Sequence, residues 1–129
     1  MALILCGALA IGIIISIIEM AAVHSDEPGG IGIQHAFATF IPTMVMTFVS
    51  MNAGLALGVF KLAETITMDL AVRGIIAFIA LIWINAKASI GRGVGEKLPH
   101  SLLIAALIFG AYYAWKFALE GILGKILPC

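Results

Sequence analysis

Six small or hydroxylic residues recur at steps of three and four in the second apolar segment of the chain. At this spacing their side chains lie on one face of a helix. In a membrane, such a face lets two helix backbones approach closely and exchange hydrogen bonds, which is the interpretation we favour. The alternative is a polar lining for water, ions or a small solute. The residues are Thr39, Thr43, Thr47, Ser50, Gly54 and Gly58, and the two glycines form the GxxxG motif "GLALG".

Glu19 is the acidic residue that lies deepest in an apolar segment, four residues before the end of the first one. An ionised carboxylate at the centre of a bilayer costs about 2.5–3.5 kcal/mol on insertion scales, so an intramembrane acid is a candidate for function. Four helical residues correspond to about 6 Å. At this depth we favour interfacial snorkelling or pairing with a base. Glu19 as a coupling acid for protons or cations is the alternative.

The hydrophilic stretch "NAKASIGRGVGEKLPH" covers residues 85–100 and contains the basic residues Lys87, Arg92 and Lys97. Its alternating glycines do not have the spacing of a phosphate-binding P-loop or of a dinucleotide fingerprint. No aromatic residues are interleaved for stacking on nucleic-acid bases. We therefore interpret the stretch as a solvated connection between two helices. In an oligomer, a ring of these loops would form a basic mouth or lumen.

Histidine and cysteine residues give weaker signals. His24, His35 and His100 would lie on one side of a four-span bundle, but their spacing matches no known ligand signature, so they are weak metal candidates. The two cysteines, Cys6 and Cys129, predict neither a disulfide framework nor a metal site. No serine or cysteine nucleophile has a plausible base near it. We therefore predict no cofactor and no enzymatic activity.

The composition determines the class of protein that must position these residues. Of the 129 residues, 63% are hydrophobic and only 11% are charged, and the mean hydropathy is +1.18. A soluble domain usually has about 25% charged residues, so this chain has too little polar surface to cover a water-soluble globule. The formal net charge is zero, so specific nucleic-acid binding is not expected. The sequence predicts an integral membrane protein that is entirely helical.

Apolar segments and polar joints predict a bundle of about four transmembrane helices in a single domain. About 20 residues are needed to cross the hydrocarbon core. We expect a kink at Pro42 in the second span. The third span is the shortest in uncharged residues and makes a full crossing only if Asp69, Arg73 and Lys87 snorkel to the interfaces, so a three-span variant stays open. The termini should lie on one side, and the tail should either follow the membrane interface or extend the last helix. The spans lie near residues 2–23, 34–60, 69–87 and 98–115, with an amphipathic tail at 116–127.

These features predict a small, non-enzymatic subunit that packs with copies of itself or with other membrane subunits in an oligomeric membrane or cell-envelope assembly. Besides these subunits, the partner that we predict is membrane lipid. A first alternative is an oligomeric channel or cation-coupled transporter in which the second span lines the path. A second alternative comes from the last two spans and the basic loop between them, which resemble conjugation-type pilins in outline. That resemblance implies a filament whose lumen the loop faces.

Overall fold

Helices make up most of the chain. The structure is a computed structural model that describes residues 4–26, 33–92 and 98–126, and these ranges contain no strand. The side chains of residues 23, 24, 26, 33–37 and 87–92 lie outside this description. In chain order the helices are α1 (Leu5–Asp26), α2 (Ile33–Met51), α3 (Ala53–Val59), α4 (Ile66–Arg92), α5 (Leu98–Ala114), a π-helical turn (Trp115–Leu119) and α6 (Glu120–Leu123).

Three segments are long and apolar enough to cross a membrane, namely Leu5–Ala22, Ile66–Ala86 and Leu98–Leu123. A fourth is present if the bent pair Ala38–Met51 and Ala53–Val59 forms one span. The prediction of an all-helical chain with three or four helices of spanning length is confirmed for the described residues.

The second apolar segment bends at Asn52. Helix α2 contains Pro42 without interruption, and the axes of α2 and α3 meet at 79° on the two sides of Asn52. The Asn52 side chain accepts a hydrogen bond from the N–H of Ile4 at 2.8 Å. Its amide group donates to the carbonyl of Phe48 at 3.0 Å and to that of Ile4 at 3.4 Å. The amide therefore joins the break to the start of α1.

The connection between α3 and α4 has defined caps at both ends. Lys61 has a φ of 53°, and its N–H and that of Leu62 donate to the carbonyls of Gly58 and Leu57 at 3.2 and 2.9 Å. This is a Schellman motif, which ends a helix with a left-handed residue. The hydroxyl of Thr65 then accepts from the N–H of the third residue of α4 at 3.2 Å, as an N-cap does.

The helices pack as two antiparallel pairs, α1 with α2 and α4 with α5, which also contact each other. Gly7 and Gly12 of α1 allow close packing, because a Cβ atom there would lie 2.5 Å from the ring of Trp115 and 2.8 Å from Met44 Sδ. The contact with Trp115 places the start of α1 beside the end of α5, at one end of the bundle. The buried core consists of Ala8, Ile11, Ile15, Met51, Ala80, Ile84, Ile104, Ile108, Ala111 and Trp115.

The bundle is apolar on its outer faces and contains polar side chains inside. Large hydrophobic residues are exposed along α1, α4 and α5, and charged and hydroxylic residues are buried between the helices. A water-soluble fold usually has the opposite distribution of charged residues. The arrangement suits helices surrounded by lipid. The exposed residues include Leu9, Ile13, Ile17, Ile75, Phe78, Ile82, Leu102 and Leu103.

The last two long helices differ from the predicted boundaries. Helix α4 has 27 residues, about 40 Å, and continues to Arg92, so much of the predicted solvated connection at 85–100 is helical. The charged residues at the start of α4 lie within the helix. Of the two alternatives for the tail, the structure has the second, because the chain continues as a helix from α5 to Leu123.

We expect Asn52→Ala to destabilise the protein, because the change removes the partners of the Ile4 backbone groups. A lost partner of a buried polar group costs about 1–3 kcal/mol, so the total should be about 2 kcal/mol or more. Thermal unfolding in mild detergent measures the effect. Leu55→Ala is the control on α3, since Leu55 is exposed. Equal thermal midpoints for Asn52→Ala and the wild type would contradict the role of this amide.

Candidate functional site

Glu19 lies inside the bundle between α1 and α2. Its side chain is only 1% exposed, and the hydroxyl of Thr43 donates a hydrogen bond to its Oε2. Thr43 is close to the middle of α2, which covers Ile33–Met51. The carboxylate is therefore well inside the bundle. Snorkelling would require it to lie at the surface of the bundle, and it does not. A glutamate side chain in a helix points toward the N-terminus, which moves this carboxylate away from the nearer end of α1.

The predicted polar face of the second segment is divided at Asn52. Before the break, Thr39, Thr43, Thr47 and Ser50 are all buried, and we call these four residues the hydroxyl face. Ser50 Oγ donates to the carbonyl of Ile108 at 2.7 Å, so the face contacts α5 of the same chain. Beyond the break, Gly54 and Gly58 belong to α3 and line a cleft. A Cβ atom at Gly58 would have no neighbour within 4 Å, so this glycine does not mark a close helix contact.

Two buried hydroxyl groups have no hydrogen-bond partner among the described residues. They are Thr47 Oγ1 and Ser101 Oγ, and both residues are 0% exposed. Helices α2 and α5 run in the same direction and touch at Ser50 and Ile108. Thr43 lies seven residues before Ser50 in α2, and Ser101 lies seven residues before Ile108 in α5. Each is therefore on the same helical face as the later residue, two turns away. Ser101 is therefore at about the depth of the Glu19 carboxylate.

Sequence reasoning missed Ser101. Its signal in the sequence is a single hydroxyl on the first turns of an otherwise apolar helix, and such serines often bond to their own backbone. Only the contact between α2 and α5 shows that it faces the same interior as the hydroxyl face. The hydroxyls of Thr47 and Ser101 can each donate and accept a hydrogen bond. Helices α2 and α5 therefore both contribute polar groups to the interior between Glu19 and the break in α2.

Arg73 joins three helices at the break. Its side chain is buried, and its residue is 2% exposed. The guanidinium group donates to Asp69 through Nε at 2.7 Å and through Nη2 at 2.9 Å, and through Nη1 to the carbonyl of Ser50. It also lies 4.0 Å from the centre of the Tyr112 ring, within the range of a cation–π contact. Arg73 thus connects α4 with the end of α2 and with α5.

The sequence had suggested a snorkelling role for Arg73 at the end of a short span. In the structure, α4 begins three residues before Asp69. Arg73 lies one helical turn after Asp69, and its side chain faces the interior of the bundle. The spacing of Asp69 and Arg73 is i, i+4, at which oppositely charged side chains on a helix meet. That spacing is the signal that could have indicated the pair.

A cleft of about 1090 Å³ opens at the end of the bundle where the described chain starts and ends. Its walls come from the start of α1, from α3, from the start of α4 and from the end of the long α5–α6 helix. The π-helical turn Trp115–Leu119 contributes Trp115 and Lys116 to the wall, and π-helical turns are frequent at functional sites. Six charged side chains line the cleft, namely Glu64, Asp69, Arg73, Lys116, Glu120 and Lys125.

Several predicted site residues lie outside the description. These are the side chains of Lys87, Arg92 and Lys97 of the basic loop and of His24 and His35. His100 is in the first turn of α5, and no group of three or more histidine, cysteine, aspartate or glutamate residues in the described ranges could hold a metal ion. The metal site at the three histidines stays a prediction.

Cys6 differs from the sequence prediction. It lies in the first turn of α1 on the wall of the cleft and is part of a disulfide bond. The sequence contains one other cysteine, Cys129, which is outside the described residues. The prediction that the cysteines make no disulfide is therefore wrong for Cys6.

Comparisons with protein-family models, with curated proteins and with solved structures find no match for this chain. Its function has to be inferred from its own residues.

A double-mutant cycle tests the role of the Arg73–Asp69 pair. We expect Arg73→Met alone to destabilise the fold by about 3 kcal/mol, because it leaves the Asp69 carboxylate and the Ser50 carbonyl without their partner. Asp69→Leu combined with Arg73→Met should be less destabilised than Arg73→Met alone. The measurement is thermal or denaturant unfolding in detergent. Additive effects of the two changes would contradict a coupled pair.

Proposed function

We propose that this protein is a membrane transport protein in which helix α2 lines a proton path and Glu19 is the coupling acid. The observation that carries this proposal is the buried Glu19 carboxylate, which Thr43 contacts near the middle of α2. An ionisable group at such a position inside a membrane-spanning bundle is expensive to maintain and is by default a candidate for function.

Insertion into a membrane is part of the proposal. The lengths of the helices and their apolar outer faces support it. A chain with these outer faces would expose a large apolar surface to water, which monomeric soluble proteins rarely do. In a bilayer the same surface contacts acyl chains, and the polar groups remain inside the protein.

The hydroxyl face and Ser101 provide the rest of the proposed path. The hydroxyls of Thr47 and Ser101 have no hydrogen-bond partner among the described residues, so each can bond to water or to a hydrated proton. From Thr43 to Ser50 the path covers seven residues of α2, about 10 Å. It then reaches the Ser50 carbonyl, which Arg73 contacts, and the cleft beyond it. The path lies within one chain, unlike the pore between copies that the sequence suggested as an alternative.

The function of an accessory or structural subunit stays a prediction, and it ranks second. The hydroxyl face is buried inside this chain, so it does not offer a contact to a partner. A partner subunit would have to cover the apolar outer faces of α1, α4 or α5, which lipid can also cover. The pilin-like alternative also stays a prediction, since it depends on the side chains of Lys87, Arg92 and Lys97, which lie outside the description.

We expect Glu19→Gln to abolish proton transport and to leave the fold intact. Glutamine has nearly the same shape and can still accept the hydrogen bond from Thr43, but it cannot bind and release a proton. The protein is reconstituted in vesicles that contain a pH-sensitive dye, and a potassium gradient with valinomycin drives proton uptake. Wild-type vesicles should acidify at least tenfold faster than Glu19→Gln vesicles. Equal rates for the two proteins would contradict the role of Glu19.

Thr47→Val tests the path separately from the acid. Valine has the shape of threonine without its hydroxyl, and Thr47 Oγ1 has no partner in the described chain to lose. We expect proton flux to fall at least tenfold in the same vesicles, with thermal unfolding confirming that the variant is folded. Thr67→Val is the matched control, since Thr67 is exposed in the first turn of α4. A wild-type rate for Thr47→Val would argue against a path along α2.

A further inference from the structure

We propose that the cleft binds a zwitterion that combines an ammonium group, an anionic group and an apolar body. The proposal extends the proposed function. It rests on that function in one respect: the zwitterion bound in the cleft is the solute that the protein transports. Binding itself requires only the cleft, so it can be tested without transport.

The charge of the cleft is balanced. Three acidic residues, Glu64, Asp69 and Glu120, oppose three basic ones, Arg73, Lys116 and Lys125, so the formal charges cancel. A cleft lined by one sign of charge would concentrate ions of the opposite sign. A balanced cleft gives no such preference for a simple anion or a simple cation.

Four of the six groups are already paired within their own helices. Arg73 and Asp69 form the bidentate contact described above, with distances of 2.7 and 2.9 Å. Lys116 donates to Glu120 at 2.9 Å across one turn of helix. A ligand would have to break these pairs to use their charges, which is costly for the buried Arg73.

The remaining two groups are one acid and one base. Glu64 and Lys125 form no ion pair or hydrogen bond with each other or with any other described residue. Glu64 is in the connection before α4, and Lys125 follows α6. A carboxylate accepts hydrogen bonds and an ammonium group donates them. The two groups therefore complement a ligand that has an ammonium group to face Glu64 and an anionic group to face Lys125.

Apart from Asn52 and Tyr112, the uncharged part of the wall is mostly apolar residues and glycine. Leu55 and Val59 of α3 and Trp115 of the π-helical turn provide the apolar surface. Glycines of α3 and α6 are among the lining residues, and a Cβ atom at Gly58 or at Gly121 would meet nothing within 4 Å. Pockets for small molecules are commonly about 300–1,000 Å³, mostly apolar, with a few polar groups that orient the ligand. The cleft has these properties and leaves room for an apolar body.

Two sources share this chemistry. One is a free zwitterion with an apolar side group, such as an apolar amino acid. The other is the head group of a zwitterionic phospholipid, with its acyl chains beside the exposed α3 residues Leu55 and Val59. The experiment has one arm for each source.

The first arm is calorimetric titration of the full chain in detergent with L-phenylalanine. Its methyl ester, which lacks the anionic group, and its N-acetyl derivative, which lacks the ammonium group, are titrated in parallel. The second arm is native mass spectrometry of the protein released from nanodiscs that contain equal amounts of phosphatidylethanolamine and phosphatidic acid. We expect one zwitterion, phenylalanine or phosphatidylethanolamine, to bind at least tenfold more tightly than the matched single-charge molecules.

Filling the cleft gives the variant test. Gly121 of α6 and Gly58 of α3 both line the cleft, and a Cβ atom at either meets nothing within 4 Å, so Gly121→Leu and Gly58→Leu add a side chain in open space. Leucine also suits a helix better than glycine. Each should weaken zwitterion binding at least tenfold. Gly74→Leu is the matched control, since a Cβ atom at Gly74 also has no neighbour within 4 Å, and Gly74 does not line the cleft. Lys125→Gln should weaken binding tenfold, and Lys61→Gln, outside the cleft, should not.

The outcomes separate this proposal from the proton path. Preferred binding of either zwitterion, lost in Gly121→Leu and kept in Gly74→Leu, supports the proposal and identifies the source of the ligand. Absence of binding in both arms, equal binding of the single-charge molecules, or equal loss in Gly74→Leu overturns it. Glu19→Gln should still bind the zwitterion, so a failure of the proton path and a failure of the cleft give different results.

Discussion

The contact of the Arg73 guanidinium group with the end of α2 is the interaction on which the remaining structure depends. A helix carries partial negative charge at its C-terminus, and its last carbonyls lack partners within the helix. Arg73 donates to one of these carbonyls, that of Ser50. Asp69 balances the charge, and the ring of Tyr112 covers one face of the guanidinium group.

This contact allows the second apolar segment to stop at Asn52 without an uncompensated end inside the bundle. The chain can then turn by 79° into α3. A straight continuation of α2 would run alongside the end of α5. Because α3 departs from the bundle axis, space remains between α3, the start of α4 and the α5–α6 helix, and this space is the cleft.

The polar groups inside the bundle also differ in whether they have a hydrogen-bond partner. The hydroxyls of Ser50 and Thr43 have protein partners. Those of Thr47 and Ser101, at nearby depths, have none in the part of the chain that the structure describes. A buried hydroxyl without a hydrogen bond costs about 1–3 kcal/mol. Retaining two of them near a buried carboxylate is unfavourable for packing alone. Under the proposed function these hydroxyls serve the proton path, and helix α2 connects that path with the cleft.

The sequence by itself determined the helical class, the three or four helices of spanning length and the inward face of α2. Composition and helical periodicity are local properties, and an apolar segment of about 20 residues has few other stable structures in lipid. It also pointed to Glu19 and to Thr43, because a carboxylate or a run of hydroxyls in an apolar segment is unusual in any fold.

Only the tertiary structure decided what these residues contact. The bend at Asn52 follows from bonds to Ile4, which is 48 residues away in the chain. The burial of Arg73 depends on α2 and α5, and the position of Ser101 depends on the packing of α5 against Ser50. The cleft combines residues from the first and last parts of the described chain, such as Ile4 and Lys125. Periodicity shows which face of a helix turns inward, but the partner of that face depends on packing between helices that are distant in sequence.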